Sequence, residues 1–495
     1  MIKILYSFAA IFIFISSGCG DKAPPLRSPT VPLIRLPEIK PGKILRLSED
    51  DPVGYRVVRE GGTGPGILLS FPPLEYSHFP RESVRLAGRV EEGTEVLING
   101  SPASVYSSGS YAGLIPLSRD TGEIIITARN DSGETVYSLP VTRSESLPEK
   151  REFTLFKARR LGRVIKSHTP LQLLPGRVRL ITLAEEMVLK IDGRGGGYLR
   201  ADMGGDLTGW VRAGAVELMD EVPLGPFRVG NVEFDGSRKE VFFALETSVP
   251  VRVEYISPAG LDVVFYNTVA DMTTINLGDG EVNCRWNQDR EGRTVFHLSG
   301  LDCYRWSLGW EGEGYRLSRE GRPEENEAIT VFIDPGHGGD QWGAVSPGGV
   351  MEKDANLKLA QLVVALLRNE GIKALLSRSD DSTVGLYERV EMAREAGADI
   401  FLSLHYNSVG ADRDPLAHSG VAVFYYNLPA RELAGDIYRS LRGIGLKGGG
   451  VRWKSLAVIR PADMIAVLAE VAFLSNPEDE SLVLDPGFRV KTAEA

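Results

Sequence analysis

Two rhythms of apolar and polar positions divide this chain of 495 residues. Up to about residue 318 the segments are short. SVRLAGRV, TEVLING, YAGLIPL and GEIIITARN alternate apolar and polar positions between glycine-bearing turns, which predicts strands. The alternation returns in GRVIKSHTPLQLLPG, EEMVLKIDGRGGGYLRAD and TGWVRAGAVEL, and again in KEVFFALE, VRVEYI, GLDVVFYN, TVFHLS and YRWSLGW. After the charged stretch 319–328 the rhythm lengthens. AITVFID predicts a strand and NLKLAQLVVALLRNEG a helix, with Leu357, Ala360, Val364 and Leu367 on one face and Gly371 as its stop. IKALLS, DIFLSL, GVAVFYY, LAVIR and MIAVLAE read as strands. LYERVEMAREAG and PARELAGDIYRSLRGIG read as helices, and NPEDESLVL as a short helix capped by Asn476 with Pro477 in its first position. The expected fold is multidomain: N-terminal all-β modules, then a C-terminal α/β domain with a mostly parallel sheet covered by helices.

Composition narrows the classes. A hydrophobic content of 43% and a charged content of 25% suit globular domains with sizeable cores. The net charge of −10 speaks against nucleic acid as a partner, which needs a concentrated basic surface. The N-terminus differs from the rest. Lys3 and the apolar run Ile4 to Ile15 are too short for a comfortable bilayer span and read as a signal-peptide core. Ser16, Ser17 and Gly18 before Cys19 look like a bacterial lipoprotein cleavage box. Residues 1–19 are thus a lipoprotein-type signal, with ordinary signal-peptide cleavage as the alternative. Acylated Cys19 would anchor an exported, periplasmic protein to a membrane. Recurrent prolines, from Pro24 to Pro41, make 20–75 a tether. Cys284 and Cys303 leave both a disulfide and two separate thiols open.

Chemistry gathers at strand ends in α/β sheets. His337 follows AITVFID among glycines, His405 ends DIFLSL, and Glu470 ends MIAVLAE. Glu352 lies just before the long helix. Each alone has an ordinary structural reading, as a capping glutamate or a hydrogen-bonded histidine. Together, two histidines and a carboxylate are the ligand set of a catalytic zinc site with one position open. DPGHGGDQWGAV, VMEKDANL, LYERVEMA, FLSLHYNS and LAEVAFLSNPEDE, spread over 329–495, resemble the zinc-dependent N-acetylmuramoyl-L-alanine amidases (amidase type 3). The resemblance implies zinc ligands at His337, Glu352 and His405, a catalytic glutamate at Glu470, and peptidoglycan as substrate. Asp334 and Asn407 are candidates to orient the ligands. Arg378 and Arg389 are candidates for substrate carboxylates or for ion pairs within the fold. His418 has no assigned role. The 65 positions from His405 to Glu470 leave little room for a helix that blocks the site.

The β segments read as three modules: an immunoglobulin-like sandwich at 76–143, an SH3-like unit at 155–219, and a β-rich unit at 227–318 similar to targeting modules ahead of bacterial amidases. Trp210, Trp286, Trp306 and Trp310 are expected as core more than as a glycan face, and His168 as a partnerless turn residue. The expected protein is a monomer. The rival readings are a zinc peptidase acting on the stem peptide and a non-catalytic wall-binding lipoprotein.

Overall fold

The computed structural model describes residues 56–58 and 64–495, apart from interruptions of up to nine residues, the longer ones at 72–77, 144–152, 220–225, 277–281 and 321–327. The signal, Cys19, most of the tether and Cys303 lie outside the described residues.

The first β region is a sandwich. Arg56–Val58, Ile67–Phe71, Ser83–Val90 and Ser110–Pro116 form one sheet; Ser101–Ala103, Glu95–Ile98, Glu123–Asn130 and Gly133–Pro140 form the other. Alternate residues of both point inward, so Ile67, Leu69, Val84 and Leu86 meet Val96, Ile124 and Ile126 in one core. Ile67–Phe71 was expected in the tether. It is instead a buried strand paired with Ser83–Val90, so the sandwich begins before residue 76.

The next two regions are fused. A seven-stranded sheet occupies Phe153–Met219, and sheets of six and four strands occupy Phe227–Glu320. One apolar cluster runs through both, from Leu171, Leu189 and Val211 to Phe243, Phe265 and Phe296. Lys190 Nζ donates to Asn267 Oδ1 at 2.8 Å, and Asn267 Nδ2 to Asp202 O at 3.0 Å, across the same boundary. Trp306 and Trp310 pack against this core, while Trp286 is largely exposed. His168 is not partnerless: it stacks on Tyr387 at 4.0 Å and lies 3.8 Å from Glu391.

The C-terminal region is built from β1 (Thr330–Pro335), α1 (Glu352–Asn369), β2 (Lys373–Leu376), α2 (Leu386–Glu395), β3 (Ile400–Asn407), β4 (Val421–Tyr425), α3 (Ala430–Gly443), β5 (Gly448–Trp453), β6 (Ile465–Phe473), α4 (Pro477–Leu484) and α5 (Pro486–Glu494). The six strands lie in the order β2-β1-β3-β6-β4-β5. Four neighbouring pairs are parallel, and β4 runs antiparallel to β6. Helices α1 and α3 pack on one face, around Leu359, Ala434, Val331 and Val467. Helix α2 and the single turn Ala457–Ile459 cover the other, around Phe332, Phe401 and Leu468. LAVIR, expected as a strand, contributes that single turn. Asn476 caps α4, accepting from Glu478 N at 2.8 Å, with Pro477 in the first position. The C-terminal ends of β1, β3 and β6 lie side by side, and the loops leaving them converge.

Candidate metal and catalytic site

Strand β1 ends in Asp334-Pro335, and the chain then turns through Gly336 to His337, whose φ of 63° lies in the left-handed region. This turn must pass close to β3. A Cβ on Gly336 would sit 2.1 Å from the His405 ring, so only glycine admits the histidine there. A Cβ on Gly343 would lie 2.4 Å from Glu352 Oε2 and 2.6 Å from His337 Cδ2. The glycines around His337 therefore make room for the other two candidate ligands.

The turn is held by its own carbonyls. Arg378 Nε donates to Pro335 O at 3.0 Å, and its Nη2 donates to both Gly336 O and Lys353 O. Arg389, at 2% exposure, donates to Pro335 O at 2.9 Å and His337 O at 2.7 Å, and pairs with the buried carboxylate of Asp334. Ser377 and Ser403 donate their hydroxyls to the same carboxylate. Burial would raise the Asp334 pKa, but Arg389 and the two hydroxyls bring it below the usual value. Both arginines thus serve the fold. Asn407 sits at the end of β3, where its Oδ1 accepts from Ser408 N. Asn356, one turn after Glu352 on α1, donates to Gly336 O at 3.0 Å. Its spacing from Glu352 would have placed it on the same helix face, a signal that sequence reading passed over.

Glu352 opens α1 and is 4% exposed. His405 Nδ1 lies 2.8 Å from its Oε1, and His337 Nε2 lies 3.2 Å from its Oε2. Ala344 N and Tyr406 N also donate to it. Burial would raise its pKa, but the two histidines and their hydrogen bonds hold it far below the usual carboxylate range. Burial would lower the His405 pKa, yet Glu352, with Glu470 adding charge, raises it. One donor atom from each of His337, Glu352 and His405 falls within 4.8 Å of the others. Among the described residues no other group of three or more such side chains is found.

Glu470 is the direct neighbour of His405 across the β3–β6 ladder, so both side chains leave the same face of the sheet. Its Oε2 is buried without a hydrogen-bond partner. Burial, with the charge of Glu352, pushes its pKa up to about 7, against the pull of His405 and Lys454. Lys454 was not singled out in the sequence. His418 stacks on Phe473 at 5.8 Å, at the end of β6.

Residues 331–495 match the profile of a family described as N-acetylmuramoyl-L-alanine amidase. The N-acetylmuramoyl-L-alanine amidase AmiA of Escherichia coli is 31% identical over 210 residues, covering 34% of this chain and 73% of AmiA. The chain belongs to the N-acetylmuramoyl-L-alanine amidase family. The amidase LytC of Bacillus subtilis is 35% identical over 167 residues, and the chain spans 34% of its length. The catalytic domain of the amidase CwlV from Bacillus (Paenibacillus) polymyxa is 33% identical over 34% of this chain and 92% of that domain, with a TM-score of 0.32. All four side chains expected to form the site, His337, Glu352, His405 and Glu470, lie within the matched amidase region.

Proposed function

We propose that the amidase region hydrolyses the amide between N-acetylmuramic acid and L-alanine in peptidoglycan. His337, Glu352 and His405 would hold a zinc ion, and Glu470 would handle the protons. The observation that carries this reading is the pairing, in one register, of a three-donor cluster with a buried, unpartnered carboxylate. The donor set fits zinc: two imidazoles and a carboxylate, mutually close, with Glu352 already shared by both histidines. The chemistry such an ion supplies is polarisation of a carbonyl and acidification of water from a pKa near 16 to about 7.

The remaining work belongs to the chain. Glu352 and the two histidines hold their donor atoms together, and the Arg378–Arg389 clamp fixes the turn that carries His337. Glu470, with a pKa of about 7, exchanges protons readily at neutral pH. It takes a proton from the attacking water and delivers it to the departing alanine nitrogen. Its buried Oε2 has no competing partner to draw it from that role.

Mass spectrometry of purified peptidoglycan digested by the zinc-loaded protein tests the reaction. Stem peptides with a free N-terminal L-alanine are expected. Fragments cut within the stem, with the muramoyl amide intact, would establish the peptidase reading instead. An unchanged wall would favour the binding reading.

The relative LytH of Staphylococcus aureus, named as a cell wall amidase, supports an exported, cell-envelope protein, and no helix among the described residues is long and apolar enough to cross a membrane. The box before Cys19 supports a lipid anchor. A fatty-acid analogue should label the wild type and leave Cys19→Ser unlabelled; equal labelling of both would refute the anchor.

A further inference from the structure

The loop from Ser408 to Gly420 joins the two halves of the site. It begins three residues after His405 and ends two before Ala422, the β4 residue in register with Glu470. Its far end is tied within the amidase region. Asn476 Nδ2 donates to His418 O at 2.9 Å, and Gly420 N donates to Asp479 Oδ2 at 2.7 Å.

Its near end is tied within the amidase region, where Val409 N donates to Ser475 Oγ at 3.2 Å, and also from outside. Arg85, on the sandwich strand Ser83–Val90, is 6% exposed and lies 323 residues before its partner Ser408. One guanidinium nitrogen donates to Val409 O at 2.8 Å and Ser408 Oγ at 3.2 Å. The backbone N–H of Arg85 donates to Ala411 O at 2.7 Å. The stem is fixed in turn, because the guanidinium lies 4.0 Å over the Phe71 ring. The turn Pro415–Ala417 lies against the sandwich strand Ser110–Pro116.

A second link reaches the other ligand-bearing loop. Glu480 of α4 is fully buried, with Oε1 accepting from Gly348 N at 2.7 Å and Oε2 accepting from Ser108 of the sandwich at 3.4 Å. Gly348 is four residues before Glu352. The sandwich therefore touches the chain beside His405, and reaches the chain beside Glu352 through Glu480.

A buried guanidinium is costly where its donors go unused. Here Nη1 is spent on a carbonyl and a hydroxyl of another domain, while Nε is buried without a partner, so the cost is offset only in part. We propose that the immunoglobulin-like sandwich is a working part of the amidase site, with Arg85 a positioning residue that orders the 408–420 wall beside His405 and Glu470. Preorganised walls matter because displacement of about 1 Å can cost up to about a hundredfold in rate. The activity readout rests on the proposed amidase function; the loop-order readout does not.

The test uses the full chain as wild type, Arg85→Met and Arg85→Lys. Methionine keeps an apolar stem over Phe71 and removes the donors. Lysine returns a cationic donor within reach of Val409 O. Amide hydrogen exchange across 406–420 is measured with kcat and KM on a soluble muramoyl peptide. Arg85→Met should exchange faster in 406–420 and not in the other amidase strands, with kcat down about tenfold and KM little changed. Arg85→Lys should restore most of both. Unchanged exchange in Arg85→Met overturns the proposal, as does faster exchange with unaltered kcat, or faster exchange throughout the chain. If Arg85→Met does not fold, Arg85→Gln, too short to reach Val409, carries the same expectations. A wild type that leaves the muramoyl amide intact sinks the amidase reading, and the exchange result then decides Arg85 alone.

Discussion

Asp334 shows how much of the proposed site depends on a residue buried beneath it. Its carboxylate is sealed under the β1 turn with Arg389, Ser377 and Ser403. Its folded pKa is depressed, so its stabilising contribution is complete above the unfolded value of about 3.9 and is lost as pH falls through the lower folded value. Asp334→Asn leaves Arg389 buried without its counter-charge, which costs about 3–5 kcal/mol at neutral pH. The deficit relative to wild type should shrink below about pH 4. Urea unfolding of both proteins across that range checks this, and a deficit constant with pH would contradict the assignment. The same scale explains why the four proposed site residues could be read from the chain while the geometry of their supports could not. His337, His405 and Glu470 put polar side chains at strand ends where a core needs none, and Glu352 opens the long helix beside them. Arg378 and Arg389 stood open between substrate carboxylates and internal ion pairs, and nothing in the chain showed the carbonyls they clamp.

Among the elements, long periodic segments were legible and short ones were not. Helix α1 declared itself by its apolar face and by Gly371, and α4 by Asn476-Pro477. Strands β1, β3 and β6 were clear as mostly apolar runs ending in polar residues, the pattern of strands buried on both faces. LAVIR misled because a five-residue apolar run does not distinguish a strand from a single helical turn. Strand β5, GGGVRW, stayed hidden because three glycines carry no β preference. Ile67–Phe71 was hidden by its place beyond the prolines. Its burial follows from pairing with a strand whose register no local pattern reveals.

The whole molecule is more connected than a row of modules on a tether. Arg179 of the second β region donates to Tyr387 at 3.1 Å, and Arg305 of the third pairs with Asp399 at 2.7 Å. Trp306 N donates to Ala462 O at 2.8 Å. With Arg85, all three β regions dock on the amidase region, through contacts too distant in sequence for periodicity to show. The proposed chemistry centres on one division of labour, in which three residues would hold zinc and Glu470 would move protons. The most direct measurement compares zinc content and release of L-alanine-terminated peptides for wild type, His337→Ala and Glu470→Gln. His337→Ala should lose both zinc and activity. Glu470→Gln should keep its zinc and lose about 10²- to 10⁴-fold in turnover, the usual contribution of a general acid–base group. Loss of zinc in Glu470→Gln, or near-normal turnover without that carboxylate, would contradict the account.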